Sequence, residues 1–122
     1  MTSRLEELAT DNLLRVFGER DPRARAAAVA ETYAEDVVFT DAEEELTGRD
    51  ALAAKAQKLL DQAPGFVFQP VGPVRTVGNL AMLSWQLGPA GAPPVVTGID
   101  ISIVENDRIV KLYTVVNEAP AA

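Results

Sequence analysis

Val95-Val96-Thr97-Gly98-Ile99-Asp100-Ile101-Ser102-Ile103-Val104 is the stretch on which the reading of this chain turns. Its β-branched residues make it a long strand. Side chains alternate between the two faces of a strand. One face carries Val95, Ile99, Ile101 and Ile103, and the other carries Val96, Gly98, Asp100, Ser102 and Val104. A nearly all-apolar face therefore backs a mixed face with a carboxyl in its middle. If both faces are covered, Asp100 is buried, and burial raises a carboxyl pKa unless charge or hydrogen bonds compensate. If only the isoleucine face is covered, Asp100 is a solvated strand residue.

The neighbours of this strand are strands too. Asn106-Asp107 makes a tight turn into residues 108–117. Residues 88–94 form a loop back to a strand at 80–87, with Leu83, Trp85 and Leu87 on one face. Gly78-Asn79 is a two-residue hairpin signal leading back to a strand at 66–77. Pro70 and Pro73 suit an edge or a bulge better than a central position. The second half is thus a four-strand meander.

The first half is helical. Ser3-Arg4-Leu5-Glu6 has the form of a capping box, and Leu5, Leu8, Ala9, Leu13, Val16 and Phe17 fall on one stripe. Asn12 lies in that stripe, polar on a buried side, and Gly18 suits the exit. Asp21-Pro22 opens a second helix, expected to turn Ala26, Val29, Ala30 and Tyr33 inward. Residues 37–41 make a short strand that turns at Ala42-Glu43 and returns through Leu46. Thr47-Gly48 opens a third helix, with Asp50 where a capping-box acid would stand. Leu52, Ala53, Ala56, Leu59, Leu60 and Ala63 form its stripe, and Pro64-Gly65 ends it. Helices segregated from strands mean α+β. A curved antiparallel sheet wrapped around helices would enclose a cone open at one end, a normal place for a small-molecule site.

Composition narrows the chemistry. The 122 residues suit one domain over 1–122, with a frayed tail at 118–122. A net charge of -7 without a basic cluster argues against nucleic acid or an anionic membrane as partner. There is no cysteine and no histidine. Thiol chemistry is excluded, and so are the commonest general base and the commonest zinc and copper ligand. No N-terminal run resembles a signal peptide and no stretch could span a bilayer, so a cytoplasmic location is expected.

The order of elements resembles the nuclear transport factor two-like superfamily, a cystatin-like cone. Within it, the chain resembles the SnoaL-like polyketide cyclases and the ketosteroid isomerases. The resemblance runs from Leu5 to Val116. It rests on Tyr33-Ala34-Glu35-Asp36-Val37-Val38-Phe39-Thr40-Asp41, on Leu46-Thr47-Gly48-Arg49-Asp50-Ala51-Leu52, and on Gly98-Ile99-Asp100 with Arg108-Ile109. By position, it implies that Asp41 is the proton-shuttling carboxylate of the isomerases and Asp100 their oxyanion-hole acid, or the acid/base of the cyclases. Departures accompany it. The two pocket tyrosines of the isomerases fall near Leu13 and Ala56, Gly98 stands where epoxide-hydrolase relatives carry an arginine, and the histidine of the cyclases is absent.

Each candidate has a plainer reading. Asp41 is either a base at the pocket mouth or a turn-initiating aspartate. Phe39, Tyr33 and Trp85 are core aromatics or pocket residues; Trp85 is expected as a wall and Tyr33 as a possible replacement donor. Asn12 is a pocket donor or a cap. Glu43, Glu44 and Glu45 are a solvated charge run rather than a metal site. The expectation is a homodimer with an apolar pocket for a small hydrophobic molecule. Its chemistry is cofactor-free acid/base work by Asp41 as base and Asp100 as acid or donor. The alternative is a non-catalytic binding or dimerising domain of the same fold.

Overall fold

The computed structural model describes residues 3–117. The tail at 118–122, expected to fray, lies outside the described residues. Among them are three α-helices, one π-helical turn and six strands. Helix α1 spans Arg4–Asp11, and Ser3 caps it by accepting from the Glu6 amide. The helix then widens over Asn12–Phe17, where the Gly18 amide reaches the Leu13 carbonyl at 2.8 Å. That i to i−5 bond brings Asn12, Leu13, Val16 and Phe17 all to the buried side. Helix α2 spans Pro22–Thr32, α3 spans Arg49–Asp61. The strands are β1 Tyr33–Thr40, β2 Glu45–Thr47, β3 Phe66–Val77, β4 Leu80–Pro89, β5 Val96–Glu105 and β6 Arg108–Val116.

The strands form one sheet in the order β2-β1-β6-β5-β4-β3. The meander is antiparallel throughout, whereas β1 pairs parallel to β6. The sheet does not close, and the helices cover its concave face. This is the α+β cone expected from the sequence. Both short turns behave as read: Asn106 and Asp107 have φ of 51° and 61°, two positive angles in a row, and Gly78 at 56° supplies the positive first angle of the other. Strand β3 lies at the sheet edge, and its register shifts between Val71 and Arg75, where Pro73 has no amide to give.

The main core joins Leu8, Val16 and Phe17 to Val29, Tyr33, Val37, Phe39, Leu52, Ile109 and Leu112. Each such side chain, fully buried, contributes about 1.5–3 kcal/mol. A second cluster of Leu13, Leu83 and Trp85 lies beside Asp100. Three local readings change. Ala26 and Ala30 are exposed, while Arg25, Ala28, Val29 and Thr32 are buried. The alanine-rich helix has no apolar stripe of its own, and its rotation is set by Arg25. Its guanidinium donates to the Glu19 carbonyl at 3.0 and 2.8 Å and to Gln57 Oε1 at 2.7 Å. Tyr33 is the first residue of β1, not the last of a helix. The third helix has Gly48 as its N-cap, at a φ of 100° and with no side chain, in place of the expected capping box.

Candidate active site

Strand β5 settles the orientation of Asp100. Gly98, Asp100, Ser102 and Val104 are buried toward the helices, and Ile99, Ile101 and Ile103 are half-buried on the outer face. The Asp100 residue is 7% exposed. Each neighbouring element supplies it a donor. Asn12 Nδ2, from the π-helical turn, donates to Oδ2 at 3.1 Å. Trp85 Nε1, from β4, donates to Oδ1 at 3.0 Å, and Thr114 Oγ, from β6, donates to Oδ1 at 2.8 Å. None of these donors is charged. Burial therefore dominates and pushes the carboxyl from 3.8 up to about 6, against the opposing hydrogen bonds of Thr114, Trp85 and Asn12.

Gly98 has a clear reason here. It pairs with Trp85 across the ladder, and a Cβ at this position would come within 2.3 Å of the indole ring. The indole lies over the bare backbone, which is how its N–H reaches Asp100. An arginine at this position would displace the ring. Phe68 packs edge-on against the indole at a centroid distance of 5.4 Å.

Behind Asp100 the chain of hydrogen bonds continues inward. The Tyr33 hydroxyl donates to Asn12 Oδ1. Both residues are fully buried. Burial, and then the charge of Asp100, raise the Tyr33 phenol well above its ordinary value. Expected as ligand contacts, Asn12 and Tyr33 instead lie behind the carboxyl and do not line the cavity. Their polar atoms are spent on one another and on Asp100.

The cavity itself has a volume of about 430 Å³, within the range usual for small-molecule sites. Asp100, Thr114 and Trp85 form part of its wall, with Leu13, Phe17, Phe39 and Phe68 around them. Of the residues named from the sequence, Asp41, Asp100, Phe39 and Trp85 line it. In the ladder Thr40 pairs with Tyr113, and Asp100 pairs with Thr114. The end of β1 thus arrives level with Asp100 with β6 between them, about 10 Å away at the backbone by two strand spacings.

At that end, Asp41 does two things. Its Oδ1 accepts from the amides of Glu43 and Glu44 at 2.8 and 3.0 Å, the turn its sequence suggested. Its Oδ2 lies 3.1 Å from Lys55 Nζ. The turn and pocket readings of Asp41 are therefore compatible. Lys55 was not singled out in the sequence, yet its side chain is only 5% exposed and lines the cavity. It also donates to Glu44 Oε2 at 2.6 Å. Burial works against ionisation of Asp41, but the two amides and the Lys55 ammonium outweigh it and hold the carboxyl below its ordinary value. Burial likewise works against the Lys55 charge, and Glu44 and Asp41 outweigh it, so the ammonium is held above its ordinary value. Two of the three hairpin acids thus lie beside a lysine; among the described residues no cluster of three or more acids, histidines or cysteines is set to hold a metal ion.

The sequence profile of the SnoaL-like domain matches residues 11–112. The chain belongs to the SnoaL-like family. No curated protein matches this SnoaL-like chain, but solved structures do. A SnoaL-like family protein from Agrobacterium tumefaciens, provisionally named an isomerase, superposes with a TM-score of 0.87 at 22% identity, over 96% of this chain and 100% of that one. A protein from Kribbella flavida, provisionally named a ketosteroid isomerase, gives 0.74 at 20% identity, over 98% and 82%. One from Sinorhizobium meliloti, provisionally named a polyketide cyclase, gives 0.68 at 19% identity, over 93% and 94%. At these identities the likeness shows the fold. Among the described residues of this SnoaL-like domain, no helix is long and apolar enough to cross a membrane.

Proposed function

We propose that the cavity binds a small hydrophobic molecule and that Asp100 carries protons to and from one of its carbons, without a cofactor. The observation that supports this reading is the environment of Asp100: a cavity-wall carboxyl, buried, held by three neutral donors, with a pKa of about 6. A base titrating near neutrality is well matched to proton transfer in water. Among the described residues Oδ2 accepts only from Asn12, which leaves it a lone pair to spare. Ionised Asp100 removes a proton from a carbon beside a carbonyl. The C–H bond breaks, its electron pair moves into the carbon–oxygen system, and an O–H bond forms on Asp100. Returning that proton to a second carbon completes an isomerisation and restores the carboxylate. The base role passes from Asp41, read as base in the sequence, to Asp100, because Asp41 is already committed to Lys55.

The test uses 2-tetralone, a two-ring apolar ketone with acidic C–H bonds. In heavy water the protein is expected to speed deuterium uptake into it, with a rate that rises through pH 6 and is lost in Asp100→Asn. Binding is followed independently by Trp85 fluorescence. Binding without exchange above buffer would leave the second reading, a non-catalytic binder; the three donors already engaged by Asp100 favour that reading.

The same proposal takes the protein as a cytoplasmic homodimer. Ile101 is flanked on the outer face by Met82 and Tyr113, and Ile99 by Ser84 and Val115. Tyr113 and Val115 are exposed, and a mainly apolar patch of this kind, interrupted by Ser84, commonly marks an interface. Light scattering across a dilution series is expected to give twice the chain mass; a monomer throughout would remove the dimer.

A further inference from the structure

We infer that Lys55 is the group that grips the ligand, through an uncharged oxygen on an otherwise apolar molecule. The inference rests on the reading above that the cavity binds a ligand, and it adds which polar group that ligand carries and where it sits. Lys55 stands on the buried face of α3 with Leu52, Ala56 and Leu60. An ammonium has three protons to donate. Glu44 Oε2 at 2.6 Å and Asp41 Oδ2 at 3.1 Å account for two. Glu43 Oε2, at 4.0 Å, is beyond hydrogen-bonding distance. The Phe39 ring centre lies 5.8 Å from Nζ. Among the described residues nothing else accepts from this ammonium. The third proton is left for a group in the cavity, whose wall Lys55 helps to form.

Charge decides what fits. Three carboxylates lie within 4.0 Å of Lys55, so an anionic ligand group would meet repulsion from all of them. A cationic group would be drawn to the carboxylates, and it has no lone pair to accept from the ammonium. A carbonyl oxygen meets neither objection and can take the third proton. The two close carboxylates keep Lys55 charged despite its burial, and a charged donor makes a hydrogen bond roughly twice as strong as a neutral one. Asp41 is then a positioning residue: its turn with Glu43 and Glu44 fixes the oxygen that fixes Lys55.

The experiment compares 2-tetralone with tetralin, the same rings without the oxygen. Dissociation constants come from Trp85 fluorescence, and the C=O stretch of carbonyl-labelled 2-tetralone from infrared difference spectra. Wild type is expected to prefer the ketone by roughly tenfold to a hundredfold. Lys55→Met should erase that preference, keep tetralin binding, and return the C=O stretch to higher frequency. Equal affinity for both compounds in wild type overturns the inference and leaves the apolar-pocket reading intact. A ketone preference that survives in Lys55→Met also overturns it. If neither compound binds, both readings fall. Should Lys55→Met fail to fold, the side-chain Cε–Hε NMR signal of Lys55 in wild type decides. A shift with 2-tetralone and none with tetralin supports the inference; the same response to both overturns it.

Discussion

Asp41 and Asp100 line one cavity and meet opposite surroundings. Asp41 ends a strand at the rim, where two backbone amides and an ammonium stabilise its charge. Asp100 lies mid-strand, deep against Trp85, where its three donors are all neutral. Hydrogen-bond number does not separate them, since each carboxyl has three partners. The sign of the shift follows from whether a full charge is among those partners. One fold thus keeps one carboxyl firmly ionised and lets the other hold a proton near neutrality, the separation that acid/base chemistry needs.

The largest test of that contrast is Asp100→Asn. A folded-state pKa raised from 3.8 to about 6 means the folded protein binds this proton more tightly than the unfolded chain. The stabilising contribution is full below pH 4 and is lost as pH rises through about 6. Two units correspond to about 3 kcal/mol. Asparagine cannot ionise, so the stability of Asp100→Asn relative to wild type should climb by about that amount between pH 4 and pH 7. Its amide also disturbs the ring of donors, but that offset does not depend on pH. Urea denaturation across the range checks it. A flat difference would mean that Asp100 titrates as an ordinary carboxyl, and the contrast with Asp41 would disappear.

Asp41→Asn should behave in the reverse sense and more weakly. A lowered folded-state pKa gives stability that is present above the unfolded value, near 4, and lost as pH falls through the folded one. In Asp41→Asn, Oδ1 can still accept from Glu43 and Glu44, but an amide N–H would face the Lys55 ammonium. The expected loss at pH 7 is on the order of 1–2 kcal/mol, toward the lower end because the rim is partly wet. It should shrink as pH falls below about 4. A loss of equal size at pH 3 would trace the effect to packing rather than to the ion pair.

The contrast was half legible in the sequence. The alternation around Asp100 left both orientations open, and only the resemblance favoured an inward carboxyl. Lys55 was overlooked because a charged residue on a helix reads as solvent-facing, although Leu52, Lys55, Ala56 and Leu59 have the spacing of a single buried stripe. Thr114 was hidden for a different reason. An unbroken ladder from the turn, with Glu105 opposite Arg108, would set Asp100 against Tyr113. A bulge between Val104 and Ile103 shifts the register by one and brings Thr114 across instead. Nothing local in the sequence marks that bulge. The parallel β1–β6 pairing was also missed, since it joins segments far apart in the chain with no turn to announce it.

Tyr33→Phe is the smallest and most exacting change. It leaves the cavity, the Asp41–Lys55 pair and all three donors to Asp100 in place, and removes only the hydroxyl behind Asn12. In wild type that hydroxyl donates to Asn12 Oδ1, which obliges the amide to present Nδ2 to Asp100. Without it, Asn12 Oδ1 is buried and unpaired, at a cost of about 1 kcal/mol. The amide is then free to turn over once Asp100 is protonated, offering its oxygen to the new O–H. Asp100 should therefore hold its proton slightly more tightly in the variant, moving its midpoint upward by a few tenths of a pH unit. Carboxyl NMR titration of Asp100 in wild type and Tyr33→Phe reads this directly. An unchanged midpoint with the same small loss of stability would mean that Tyr33 merely fills space. A downward shift would mean that the hydroxyl favours the protonated carboxyl, and that the amide of Asn12 is oriented by something other than Tyr33.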